Sequence, residues 1–173
     1  MRDVFTVRMA APEDLPVIHQ LAEEIWPVTY GNILTPDQLR YMLDHIYSLP
    51  SLTRQRSDQQ HTFLIASLGN ENIGYASYSL IQEPGIYKLH KLYIHPKTQG
   101  LGLGKALINV VLENVTAKNA TILRLNVNRQ NKARNFYEKL GFAVIGEEDV
   151  DIGNGYFMVD YVMDKPLTHS PSP

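Results

Sequence analysis

Three glycines in five positions, Gly100, Gly102 and Gly104, follow a strand-like run from Ile86 to Ile94 and lead into a segment of helical periodicity. A chain that turns through glycine from a strand into a helix makes a cradle for an anion. Glycine lets the backbone approach a ligand closely, and the unpaired amides and positive dipole end of the helix favour negative charge. A phosphate-bearing ligand and an α/β architecture are the first expectations. A glycine-rich turn before a helix can also be plain loop chemistry, so the neighbouring residues have to decide.

Elimination narrows the ligand. A P-loop has four residues between its first glycine and Gly-Lys-Ser/Thr; here three separate Gly100 from Gly104-Lys105, and Ala106 has no hydroxyl for magnesium. A dinucleotide fingerprint starting at Gly100 needs glycine where Lys105 stands, and one starting at Gly102 needs it at Leu107.

The chain of 173 residues, 44% hydrophobic and 20% charged, is long enough for one domain with a substantial core, expected over 1–167. Thr168 to Pro173 carries no apolar pattern and reads as a disordered tail. With 16 basic and 18 acidic side chains the net charge is -2, so no global field recruits nucleic acid or an anionic membrane. There is no cysteine, hence no disulfide and no thiolate nucleophile or ligand. The histidines are scattered without His-Glu-x-x-His, so no catalytic metal is expected. No leader and no apolar run of about 18 residues is visible, and a cytoplasmic protein is the default expectation.

Along the chain, Val4 to Met9 reads as a strand, and Pro12-Glu13-Asp14 opens a helix with Leu15, Ile18, Ala22, Ile25 and Trp26 on one face. Pro27 to Leu34 reads as a loop carrying Tyr30. Thr35-Pro36-Asp37-Gln38 is a capping box for a second helix facing inward with Leu39, Met42, Leu43 and Ile46. Pro50 to Gln60 reads as a polar connection. A meander follows: Thr62 to Leu68, Ile73 to Gln82, Ile86 to Ile94. A helix from Leu103, a strand from Ile122 to Val127, a helix from Asn131 to Leu140 capped by Gly141, and a hairpin of Val144 to Val150 with Tyr156 to Met163 complete the pattern. The helix from Leu103 is a crossover, which makes the strands on either side of it parallel in an otherwise antiparallel sheet.

Gln99-Gly100-Leu101-Gly102-Leu103-Gly104 resembles the Gln/Arg-x-x-Gly-x-Gly/Ala signature of the GNAT acetyltransferase superfamily, with Leu92-Tyr93-Ile94-His95-Pro96 upstream and Asn131 to Phe142 downstream as in that family. The resemblance implies an α/β (α+β, mixed-sheet) GNAT fold of six to seven strands and about four helices, with acetyl-CoA as cosubstrate. It places the pyrophosphate on Gln99, Gly100, Leu101, Gly102, Leu103 and Gly104, and the cofactor arm and oxyanion on the main chain of Leu92, Tyr93 and Ile94. Asn126 and Asn131 match positions that hydrogen-bond the arm, Asn131 being equally suited to an N-cap. Lys97, Lys105, Lys132 and Arg134 are within reach of phosphates in the same plan.

Tyr137 matches the tyrosine that acts as general acid in many members; read from spacing alone, it is a core aromatic. His90 stands where polyamine acetyltransferases often carry a glutamate. Histidine departs from that pattern but can take a proton near neutral pH, or it can simply be a surface residue on a strand. Glu24, Trp26, Tyr30 and Tyr41 belong to the regions that wall the acceptor pocket, and an aromatic, acidic lining suits an alkyl ammonium. The plan looks most like the bacterial spermidine and spermine acetyltransferases of the PaiA type. Acetylation of a protein N-terminus or lysine, and a non-catalytic acetyl-CoA sensor, stand as alternatives, and a homodimer is a habit of the superfamily.

Overall fold

The computed structural model describes residues 3–167, so the tail expected at 168–173 lies outside the described residues. In chain order the elements are β1 Phe5–Met9, α1 Leu15–Tyr30, α2 Pro36–Tyr47, α3 Leu49–Ser57, β2 Thr62–Leu68, β3 Glu71–Gln82, β4 Ile86–Ile94, α4 Leu103–Thr116, β5 Ile122–Asn128, α5 Ala133–Lys139, β6 Ala143–Gly153 and β7 Tyr156–Pro166. The strands form one mixed sheet in the order β1-β2-β3-β4-β5-β7-β6. β4 and β5 pair in parallel from Ile86↔Ile122 to Leu89↔Leu125, as the crossover through α4 requires. The closing hairpin docks through its second strand, which pairs with β5 on one side and β6 on the other. Among the described residues no helix is long and apolar enough to cross a membrane.

The described residues fall into two compact units, 3–79 with 91–111, and 80–90 with 112–167. In the first, Ile18, Ile25, Leu43, Leu52, Phe63, Leu64 and Ile65 are fully or almost fully buried. Two expectations are corrected here. The loop expected from Pro27 is instead the last turn of α1, which runs through the proline to Tyr30. An interior proline costs about 3 kcal/mol, but Trp26 and Tyr30, one turn apart, are 3% and 8% exposed, and burying two such rings returns about as much.

The polar connection expected at 50–60 is largely α3. Its signal is short, since Leu52 is its one fully buried apolar side chain. Ser48 caps it by accepting from the Ser51 amide (3.3 Å), and the buried polar residues satisfy each other: the Gln55 amide donates to Ile46 O (2.8 Å) and Ser51 Oγ (3.1 Å). That helix brings the α-helices among the described residues to five, where about four were expected. In α2 the Thr35 hydroxyl accepts from the Gln38 amide as half of the box, while the inward face is Met42, Leu43 and Tyr47. Leu39 and Ile46 stay half-buried.

Gly74 on β3 has no room for a side chain: a Cβ would stand 2.7 Å from the Tyr93 carbonyl oxygen and 2.6 Å from Ile94 Cδ1. Gly74→Ala is therefore expected to lower unfolding free energy by about 1–3 kcal/mol, the range for overpacking, because a backbone carbonyl has to move. A urea titration with an unchanged midpoint would show that β4 yields freely at this point.

In the second unit β5 alternates, with Leu123, Leu125 and Val127 buried on one face. Met163 is buried on β7, in keeping with a packing role. The β6–β7 turn is Asn154-Gly155, both left-handed (φ 55° and 79°), the chemistry of a type I′ hairpin. Gly141 (φ 95°) ends α5, where the Phe142 amide donates to Tyr137 O (3.1 Å) and the Gly141 amide to Glu138 O (3.0 Å).

Candidate active site

The glycine loop is built from the end of β4 outward. The His95 amide donates to Ile73 O on β3 (2.7 Å), and the buried Thr98 hydroxyl donates back to His95 O (2.9 Å). His95 Nδ1 accepts from the Lys97 amide (3.2 Å), which puts the ring proton on Nε2, 3.1 Å from a Glu24 carboxylate oxygen. The loop beyond is exposed. Gly100 (φ 83°) and Gly102 (φ 73°) sit in the left-handed region, and nothing lies within 4 Å of where their Cβ atoms would be. So conformation, not crowding, demands glycine here, and the main chain is open to a ligand. The first α4 hydrogen bond, Ala106 N to Gly102 O (3.1 Å), starts directly after it. The amides ahead of that bond have no partner within the helix and point their dipoles at the loop.

Of the cations expected near phosphates, Lys97 is paired with Glu71, and Arg134 is paired with Glu138 while stacking on Tyr161 (4.5 Å). Lys105, at the first turn of α4, and Lys132 are both exposed.

Two of the expected acceptor residues converge. Trp26 lies 4.6 Å from Tyr30 and 5.7 Å from Tyr93 between ring centroids, and the Tyr30 and Tyr93 hydroxyls are 2.8 Å apart. Tyr47 and Tyr75 extend the cluster inward, the Tyr75 hydroxyl donating to Tyr47 (2.8 Å), and burial pushes both phenols well above their usual pKa. Glu24 is held by His95 and by the Gln20 amide (3.0 Å). Tyr41 stacks on His45 at 5.5 Å. Glu23, next to Glu24 in sequence, is bound by Arg40, whose hydrogen bonds hold the carboxyl below its usual range.

Below the aromatic cluster lies Lys91, a residue sequence reasoning passed over. It is 6% exposed, and its ammonium donates to Gln55 Oε1 (2.6 Å) and lies over the rings of Tyr47 (5.5 Å) and Phe63 (5.6 Å). Desolvation lowers its pKa from 10.5 to about 7. The signal in the sequence was alternation: Leu89, Lys91 and Tyr93 share one strand face, so a lysine between two large apolar or aromatic residues falls on the inner side.

The second unit holds His90, Asn126, Asn131 and Tyr137, while Leu92 and Ile94 lie in the first. His90 is half-buried between the buried Leu89 and Lys91, on the opposite strand face. Tyr137, 8% exposed, is wedged edge-on between Phe136 (5.2 Å) and Phe142 (5.6 Å). Asn131 Oδ1 accepts from the Ala133 amide (2.9 Å), tying down the entrance of α5 and leaving its own amide as donor. Asn126 is arranged the other way round: its amide donates to Glu148 (3.1 Å) and Asp160 (3.3 Å). Asp160 was also not foreseen. It is 2% exposed, and desolvation raises its pKa.

Residues 32–165 match the family described as Acetyltransferase (GNAT) domain. The chain is 29% identical to the spermidine N(1)-acetyltransferase of Thermoplasma acidophilum, over 92% of its own length and 95% of that protein. Its fold superposes on the crystal structure of the PaiA N-acetyltransferase of the same organism in complex with coenzyme A, with a TM-score of 0.79 at 28% identity, covering 95% of this chain and 99% of the other. A shorter likeness, 33% over 51% of this chain and 56% of the relative, is to the [ribosomal protein bS18]-alanine N-acetyltransferase of Haemophilus influenzae.

Proposed function

The chain belongs to the GNAT acetyltransferase family and is an acetyl-CoA-dependent N-acetyltransferase, and from that premise we propose that its acceptor is a small polyamine-like primary amine, acetylated directly without a covalent enzyme intermediate. The observation that carries the cofactor half of this reading is the open, left-handed Gly100–Gly102 loop at the head of α4, a fit for a pyrophosphate resting on main-chain amides. Acetyl-CoA supplies the activated acetyl group as a thioester. The main-chain groups of Leu92, Tyr93 and Ile94 serve the arm and the developing oxyanion, with Asn126 and Asn131 as further polar contacts. Rigid donors of this kind stabilise charge without reorganising.

His90 takes the proton of the incoming ammonium, directly or through water, and the Tyr137 hydroxyl protonates the departing sulfur. Three observations support an alkyl ammonium as acceptor: the Trp26, Tyr30 and Tyr93 rings gathered in one cluster, the Glu24 carboxylate, and the name of the Thermoplasma relative. The Haemophilus likeness favours a second reading, a protein N-terminus as acceptor.

Thiol release from acetyl-CoA, measured against polyamines, amino acids and N-terminal peptides, decides between them. Polyamines are expected to give the highest kcat/KM. A peptide preferred over every polyamine would move the assignment to the second reading, and turnover with none of the acceptors would leave a cofactor-binding domain.

A further inference from the structure

The arrangement around Asn126 goes one step beyond its contact with a cofactor. The register of β5, β7 and β6 sets Asn128, Asp160 and Glu148 side by side, with Asn126 opposite Val162 and diagonal to Asp160. Paired positions share a sheet face, so Asn126, Asp160 and Glu148 project together while Leu125 and Val127 turn into the core. An ionised carboxylate only accepts hydrogen bonds. Both amide hydrogens of Asn126 are therefore drawn toward carboxylates, one to Glu148 and one to Asp160.

We propose that Asp160, assisted by Glu148, is a positioning residue: it fixes the Asn126 amide so that the carbonyl oxygen is the group presented outward, ready to accept from an N–H of an amide-bearing ligand. The inference rests on the reading that Asn126 meets the cofactor arm, and the pantetheine part of coenzyme A carries amide N–H groups of the required kind. Without a carboxylate pair, the side-chain amide could rotate by half a turn and offer donors in place of its acceptor, at little cost.

The energetics favour a task for Asp160 over mere packing. A carboxylate almost removed from water in mid-strand is costly unless hydrogen-bonded or paired, and the partner within hydrogen-bond distance is the neutral Asn126. Lys88 on β4 and Arg129 after β5 offset part of that cost by their charge, while Glu148 adds to it. Arg129 is itself shared with Glu147 and Asp149. A neutral or apolar residue would fill the position at less expense to stability, and would leave the amide unoriented.

A double-mutant cycle on the full chain tests this, with KM and kcat for acetyl-CoA and coenzyme A affinity by calorimetry read for the parent, Asn126→Ala, Asp160→Asn and the double variant. Asn126→Ala is expected to raise KM and Kd roughly tenfold, the worth of one hydrogen bond in a partly buried site. Asp160→Asn should raise them by about three- to tenfold, and adding it to Asn126→Ala should change nothing more, the effects falling on KM and not on kcat. Full additivity, or an Asp160→Asn effect confined to kcat, overturns the positioning role while leaving Asn126 as a cofactor contact. Unaltered cofactor affinity in Asn126→Ala overturns both. If Asp160→Asn yields little folded protein, Glu148→Gln at an exposed position reads the same coupling, with about a twofold change that vanishes on the Asn126→Ala background; persistence there counts against the proposal.

Discussion

Tyr137→Phe is expected to lower kcat by roughly 100-fold or more, within the range for loss of a positioned general acid, with little change in coenzyme A affinity. The substitution isolates the hydroxyl. The ring stays edge-on between Phe136 and Phe142, and the turn at Gly141 still ties the Phe142 amide to the Tyr137 carbonyl. A tyrosine kept for its ring alone predicts a variant as active as the parent, so the two readings part by two orders of magnitude.

The size of the loss follows from the proton balance. Attack by the amine expels a thiolate whose conjugate acid has a pKa of about 8.5, and a phenol at about 10 gives up its proton slightly uphill, by about 2 kcal/mol. That step is affordable when donor and sulfur are held together, and without it the sulfur leaves as a free anion. An acyl donor with a more acidic thiol leaves more readily unassisted, so the deficit of Tyr137→Phe should shrink with such a donor. A deficit of constant size across donors would put the hydroxyl elsewhere in the cycle, and equal kcat at every pH would remove it from the mechanism.

What the sequence revealed and what it hid follow from the same physics. The glycine loop was legible because left-handed backbone at Gly100 and Gly102 leaves a trace in residue identity. The strands from Thr62 to Ile94 were legible because alternation and turn residues punctuate them. The last turn of α1 was hidden because Pro27 is a local breaker, and the burial of Trp26 and Tyr30 that overrides it is a tertiary fact. α3 was hidden because its interior is largely polar: Ser51 and Gln55 are buried, satisfied by each other and by Ile46 O. Periodicity of apolar residues cannot register such a helix. Asp160 and Lys91 escaped for a related reason. Charged residues on strands read as solvent-facing until the pairing of neighbours shows which of them point inward. Of the residues expected to meet the acceptor, Trp26 and Tyr30 come together one helical turn apart, and Tyr41 stacks on His45.

The same buried lysine governs how stability should depend on pH. Lys91 titrates near 7 in the folded chain and near 10.5 when unfolded, because burial disfavours its charge. Between those values the unfolded chain binds the additional proton, so stability rises with pH across the window from about 7 to 10.5 and is flat with respect to this group below it. The direction is opposite to that of a lysine stabilised by an acid, and the recorded contacts of this ammonium, the Gln55 carbonyl and the Tyr47 and Phe63 rings, are all neutral. Over the whole window the gain amounts to a few kcal/mol at most. Lys91→Met keeps the length of the side chain and removes the titration. At pH 7 the variant is expected to be more stable than the parent by about 1–2 kcal/mol, since it is relieved of desolvating an ammonium, less the cost of leaving Gln55 Oε1 without its donor. Near pH 10 the order should reverse, because the neutral amine still donates to Gln55 whereas the thioether cannot. Urea unfolding of both proteins from pH 6 to 10 gives two curves that cross. Parallel curves would mean that Lys91 keeps its proton throughout, with water or a rearranged neighbour reaching a site that the fold otherwise keeps dry.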